Sequence, residues 1–93
     1  MAPAPPSHTR VFRVTLEHPG ADEGYYTLAG KRYGPFATPE EAEHHLLGRI
    51  RAWKARARSL GGDVHRRTHL EIAVTLPADV PFEGGEAPTP WVR

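Results

Sequence analysis

Between residues 38 and 62 the chain carries the start signal, the body and the stop signal of one helix. Thr38 is a good N-cap, Pro39 suits the first helical position, and Glu41 follows the cap by three residues, as in a capping box. At 100° per residue, Ala42, Leu46, Ile50, Trp53, Ala57 and Leu60 fall within a stripe roughly 80° wide. Gly61-Gly62 supplies the left-handed residue that ends a helix. The pattern predicts one rod over 38–60. A helix apolar on one side must bury that side against another element, and the rest of the chain offers strands.

Residues 10–17 alternate, with Phe12, Val14 and Leu16 on one face and Arg13, Thr15 and Glu17 on the other, which is the period of a half-buried strand. A run rich in turn formers, 18–24, ends it. Residues 25–28 and 31–36 read as a hairpin closed by Ala29-Gly30, with Tyr26 opposite Tyr33. Residues 68–76 alternate again through Leu70, Ile72, Val74 and Leu76, and Pro77 stops them. The expected fold is therefore α+β: a mainly antiparallel sheet of three to four strands, order β-β-β-α-β, on one long amphipathic helix. Because it follows the third strand through a helix, the fourth is expected to run parallel to the first and third.

With 93 residues there is material for one domain. Residues 1–8, rich in proline, read as a flexible arm, 9–77 as the domain, and 78–93 as a proline- and glycine-rich tail. Phe82 and Trp91 are unusual in such a tail and suggest that it packs on the domain or on a partner. No apolar run approaches the roughly 18 residues that cross a bilayer, and the N-terminus lacks the basic and apolar regions of a signal peptide. The absence of cysteine removes disulfides, thiolate metal sites and cysteine nucleophiles, and it fits a cytoplasmic protein.

The net charge of +1 conceals an uneven distribution. Residues 1–48 carry four basic and six acidic side chains, 49–67 carry seven basic against Asp63, and 70–93 carry Arg93 against four acids. Arg49, Arg51, Lys54, Arg56, Arg58, Arg66 and Arg67 thus make the middle of the chain a positive field that suits an anionic partner, DNA or RNA. On the helical wheel Arg51, Lys54 and Arg58 line one flank of the apolar stripe, and His45, Arg49 and Arg56 line the other. A plainer account also exists: acids at the start of a helix and bases at its end are what its dipole favours, and arginine stems shield an apolar stripe.

Other chemistry finds little support. Glu40/His44 and Glu41/His45 are spaced i, i+4, so one helix face offers two ligands where zinc wants three or four. Ser7 and Ser59 are the only serines, and neither follows a strand-to-helix turn. No catalytic residue, cofactor or metal is expected, and the chain reads as a non-enzymatic binding module. Its leading function is nucleic-acid association through the basic helix face. The alternative is a protein-interaction or homodimeric assembly module that uses a sheet edge and the tail, with Tyr25, Phe82 and Trp91 meeting the partner. Residues 33–42, Tyr-Gly-Pro-Phe-Ala-Thr-Pro-Glu-Glu-Ala, resemble the strand–capped-helix junction of small DNA-binding modules in which a three-stranded sheet precedes a helix. The fourth strand departs from that pattern, and no family follows from it.

Overall fold

A computed structural model describes residues 6–82. The alternating run near the N-terminus forms two strands, β1 (Ser7–Arg13) and β2 (Thr15–Gly20), with Val14 between them. Phe12 and Val14 are buried, and the Val14 amide donates to the Leu70 carbonyl at 2.8 Å. Here the chain passes from one sheet to another. β2 pairs with β3 (Glu23–Leu28), and β3 pairs with β4 (Lys31–Phe36). The Ala29-Gly30 turn has φ of +53° and +79°, the double left-handed geometry of a type I′ hairpin. It sets Tyr26 opposite Tyr33, with ring centroids 4.9 Å apart, as the sequence implies.

The helix α1 runs Pro39–Ser59 as one rod. Thr38 Oγ1 accepts from the Glu41 amide at 3.2 Å, and the Glu41 carboxylate accepts from the Ala37 amide at 2.9 Å. The capping box is therefore present, displaced by one residue on its return bond. Gly61, at φ +92°, closes the C-terminal end. Leu46, Trp53 and Ala57 are buried, with Ile50 and Leu60 packed beside them. Trp53 meets Phe12 edge to face at 5.1 Å. Each such large side chain, once removed from water, contributes about 1.5–3 kcal/mol, so the Phe12–Trp53 contact anchors rod to sheet.

After the helix come β5 (Asp63–Thr68) and β6 (Glu71–Pro77), joined by His69-Leu70. Two antiparallel three-stranded sheets result, in orders β1-β6-β5 and β2-β3-β4. The α+β class holds, while the single sheet and the β-β-β-α-β order give way, among the described residues, to six strands in two sheets. The run read as one strand over 68–76 begins only at Glu71, and β5 precedes it. β5 has Val64 as its one buried residue among Asp63, His65, Arg66 and Arg67, so it lacks the alternation that reveals a strand. β6 is not parallel to its neighbours. It lies antiparallel between β1 and β5, which is why Ile72, Val74 and Leu76 are all fully buried.

Ser7 and His8, assigned from sequence to an arm, belong to β1. The first residues of the tail also pack: Ala78 N–H donates to the Pro6 carbonyl, and Val80 O lies 2.6 Å from His8 Nε2. Phe82 lies against His8 and Phe12 at centroid distances of 4.8 and 6.3 Å, with the Arg10 guanidinium 5.3 Å from its ring. No helix among the described residues is long and apolar enough to cross a membrane.

Candidate nucleic-acid interface

The seven basic residues of the middle segment do not form one surface. Because the helix is continuous, Arg51, Lys54 and Arg58 stand on one flank of its buried stripe and Arg49 and Arg56 on the other. Arg58 is bound to Asp63 at 3.3 Å. The Asp63 carboxyl is held below the usual carboxylate range, first by the Val64 amide and then by Arg58 and Lys54. Arg66 turns toward the helix and makes a two-pronged pair with Glu43, at 2.5 and 3.0 Å. That pairing lowers the Glu43 pKa and raises that of Arg66. Arg67 is exposed on β5. Arg66 is thus occupied by Glu43 and Arg58 by Asp63, and the positive field of the sequence is divided among separate faces.

One flank gathers more than its arginines. Tyr26 and Tyr33 stack on β3 and β4, and His45 lies against both rings and that of Phe36, at centroid distances of 5.2–5.7 Å. The Tyr26 hydroxyl is hydrogen-bonded to His45 Nδ1. Burial first, then the neighbouring Tyr33, pushes the Tyr26 phenol well above its ordinary range, so it stays neutral at physiological pH. The charge comes from outside the stack. Lys31 Nζ lies 5.7 Å and Arg49 Cζ 5.9 Å from the Tyr33 ring centre. Lys31 and Tyr33 are two apart on β4 and so share a face, the one turned to the helix. Arg56 follows Arg49 by seven residues, about 10.5 Å further along the same flank.

This arrangement offers a half-buried aromatic ring bordered by cations. Among the described residues neither Lys31 nor Arg49 has an acidic partner. Arg49 Nε is buried and meets no hydrogen-bond acceptor among the described residues.

Of the residues expected from sequence, Arg49 and Arg56 belong to this face; Arg51, Lys54, Arg58, Arg66 and Arg67 do not. Lys31, Tyr33 and His45 join it. The spacing Lys31/Tyr33 on a strand was the one available signal, and nothing in the sequence placed β4 beside the Arg49 flank. On the opposite side of the same sheet Tyr25 is half-buried beneath the Arg32 guanidinium, 3.7 Å from its ring centre, and Glu17 holds Arg32 at 3.3 Å. Phe82 is engaged by its own domain, and Trp91 lies outside the described residues. No three histidine, aspartate or glutamate side chains among the described residues converge on a possible metal position. Comparison with protein-family models, characterised proteins and solved structures finds no match to this chain, so the functional reading rests on this geometry.

Proposed function

We propose that the chain is a small non-enzymatic binding module for single-stranded nucleic acid, with its contact on the face shared by β4 and α1. The observation that carries this reading is the Tyr33 ring set between Tyr26 and two cations, Lys31 and Arg49, neither with an acidic partner among the described residues. Phosphates call for guanidinium and ammonium donors, and a base calls for an aromatic surface beside them. Stacking on a side chain requires an unpaired base, which favours a single strand over a duplex. DNA and RNA share this chemistry.

Lys31, Arg49 and Arg56 give about three phosphate contacts, so log K should fall against log salt with a slope of about −2. Fluorescence anisotropy with a labelled oligothymidylate reads both affinity and slope. Arg49→Ala with Arg56→Ala should weaken binding about tenfold or more, while Arg51→Ala with Lys54→Ala, on the other flank, should leave it near the parent value. Binding that ignores salt, or that suffers equally from both pairs, refutes the assignment.

A further inference from the structure

A second feature lies on the other side of the helix from Arg49 and Arg56 and meets the aromatic stack only at Tyr26 and Phe36. A cleft of about 670 Å³ opens between β2, the first half of α1 and the β5–β6 turn. Its apolar wall comes from Leu16, Phe36, Leu46 and Leu47. Leu16 is 58% exposed although it sits on the helix-facing side of β2, opposite the buried Tyr26. The helix covers β3 and β4 and stops short of β2, which leaves a large apolar side chain in water. Clefts of this size and lining are the usual form of a binding site.

Charge and backbone narrow the occupant. Glu17, Glu40 and Glu43 line the cleft, and among the described residues no lysine or arginine does. Glu17 and Glu43 hold Arg32 and Arg66, whereas Glu40 has no ion pair among the described residues. The three histidines of the lining, His18, His44 and His69, add hydrogen-bonding groups. β2 is the edge of its sheet, so among the described residues its second row of amides and carbonyls faces no strand. An open edge beside an apolar cleft suits an extended segment that adds as a further strand and lowers alternate side chains into the cleft.

We infer that the cleft binds an extended segment of another protein, with leucine-like side chains on one face and lysine or arginine beside them, laid along β2. A second copy of this chain fits poorly. Its β2, Thr15–Gly20, carries no lysine or arginine to set beside Glu40. The cleft shares Tyr26 and Phe36 with the aromatic stack but uses none of Lys31, Tyr33, Arg49 or Arg56, so different substitutions test the two readings.

The probe is a blocked octapeptide of alternating leucine and lysine, titrated into isotope-labelled full-length protein and followed by amide NMR shifts. Saturable shifts should map to β2 and the first half of α1. Leu16→Ser and Glu40→Lys, both at exposed positions and both checked for fold by circular dichroism, should each weaken binding about tenfold or more, which is 1.4 kcal/mol per tenfold. The same peptide with glutamate in place of lysine, or with alternate amides N-methylated, should not bind. Absence of saturable binding, equal binding of the acidic peptide, or shifts centred on β4 overturns the inference. So does sedimentation showing a dimer of the parent that Leu16→Ser abolishes, since the occupant would then be a second copy.

Discussion

Gly61 and Gly62 look equivalent in the sequence, yet the structure assigns them different tasks, and Gly62→Ala tests that difference. Gly61 has φ of +92°, and an added Cβ there would sit 3.3 Å from Pro77 Cγ. Alanine at Gly61 should cost about 1–2 kcal/mol of left-handed strain. Gly62 has no such backbone demand. A Cβ at Gly62 would lie 1.9 Å from the Thr75 carbonyl oxygen, 3.0 Å from its carbon and 3.1 Å from Leu76 Cα. All three are backbone atoms of the central strand β6, which cannot turn aside as a side chain can. To reach the 3.0 Å that real contacts respect, the helix end must move away from β6 by at least 1.1 Å. That displacement acts on the bond from the Gly62 amide to the Ala57 carbonyl, at 2.8 Å, and on the Asp63–Thr75 pairing. Overpacking costs about 1–3 kcal/mol and a buried backbone group left unpaired about 1–3 more, so a loss of about 3–5 kcal/mol is expected. A chain of this size has only about 5–14 kcal/mol in total. Urea denaturation provides the assay: with a slope near 1 kcal/mol per molar, the midpoint should fall by about 3–5 M. Gly48→Ala is the internal control. It lies mid-helix with nothing within 4 Å of an added Cβ, so it should raise the midpoint by about 1 M. A Gly62→Ala protein whose midpoint stays within about 1 M of the parent would refute the argument that β6 backbone sets this glycine.

Two further outcomes follow from local chemistry. Thr38→Ala removes the acceptor for the Glu41 amide and should cost about 1 kcal/mol in the same assay, whereas Thr38→Ser should cost little. The Arg66–Glu43 pair lowers the Glu43 pKa, so its contribution is present above the unfolded carboxyl pKa near 4.3 and is lost as pH falls through the lower folded value. The pair is partly exposed, which limits the effect to about 1 kcal/mol. Glu43→Gln should therefore be less stable than the parent at pH 7, and the gap should close by about pH 3 in a series of urea melts.

Local physics is legible in a linear chain, and here it was enough for the helix, its cap and its stop, and for the Ala29-Gly30 hairpin with its Tyr26–Tyr33 pair. Each depends on residues a few positions apart. The same holds for Phe12, Val14, Ile72, Val74 and Leu76 as core, because burial on one face of a strand writes itself as alternation. What the sequence could not contain was the division at Val14. The period of two continues through that residue, and only the partners differ, β6 before it and β3 after it. β5 was silent for a related reason: an edge strand that buries only Val64 owes its place to the ladder with β6, and backbone bonds leave no mark on side-chain pattern. The direction of β6 followed from that omission, since an unseen β5 turned an antiparallel hairpin into an apparent crossover.

The candidate site divides in the same way. Composition and wheel angle placed Arg49 and Arg56 on one flank of α1 and Arg51, Lys54 and Arg58 on the other. The sequence alone could not tell which flank faces the Tyr33 stack, or that Glu43 and Asp63 occupy Arg66 and Arg58. Those facts depend on how the rod lies across two sheets. Its orientation is fixed by Trp53 against Phe12, a contact between residues 41 positions apart in the chain. Residue type and short-range period thus determined which side chains could act. Long-range packing, through the burial of one apolar stripe, decided which of them meet.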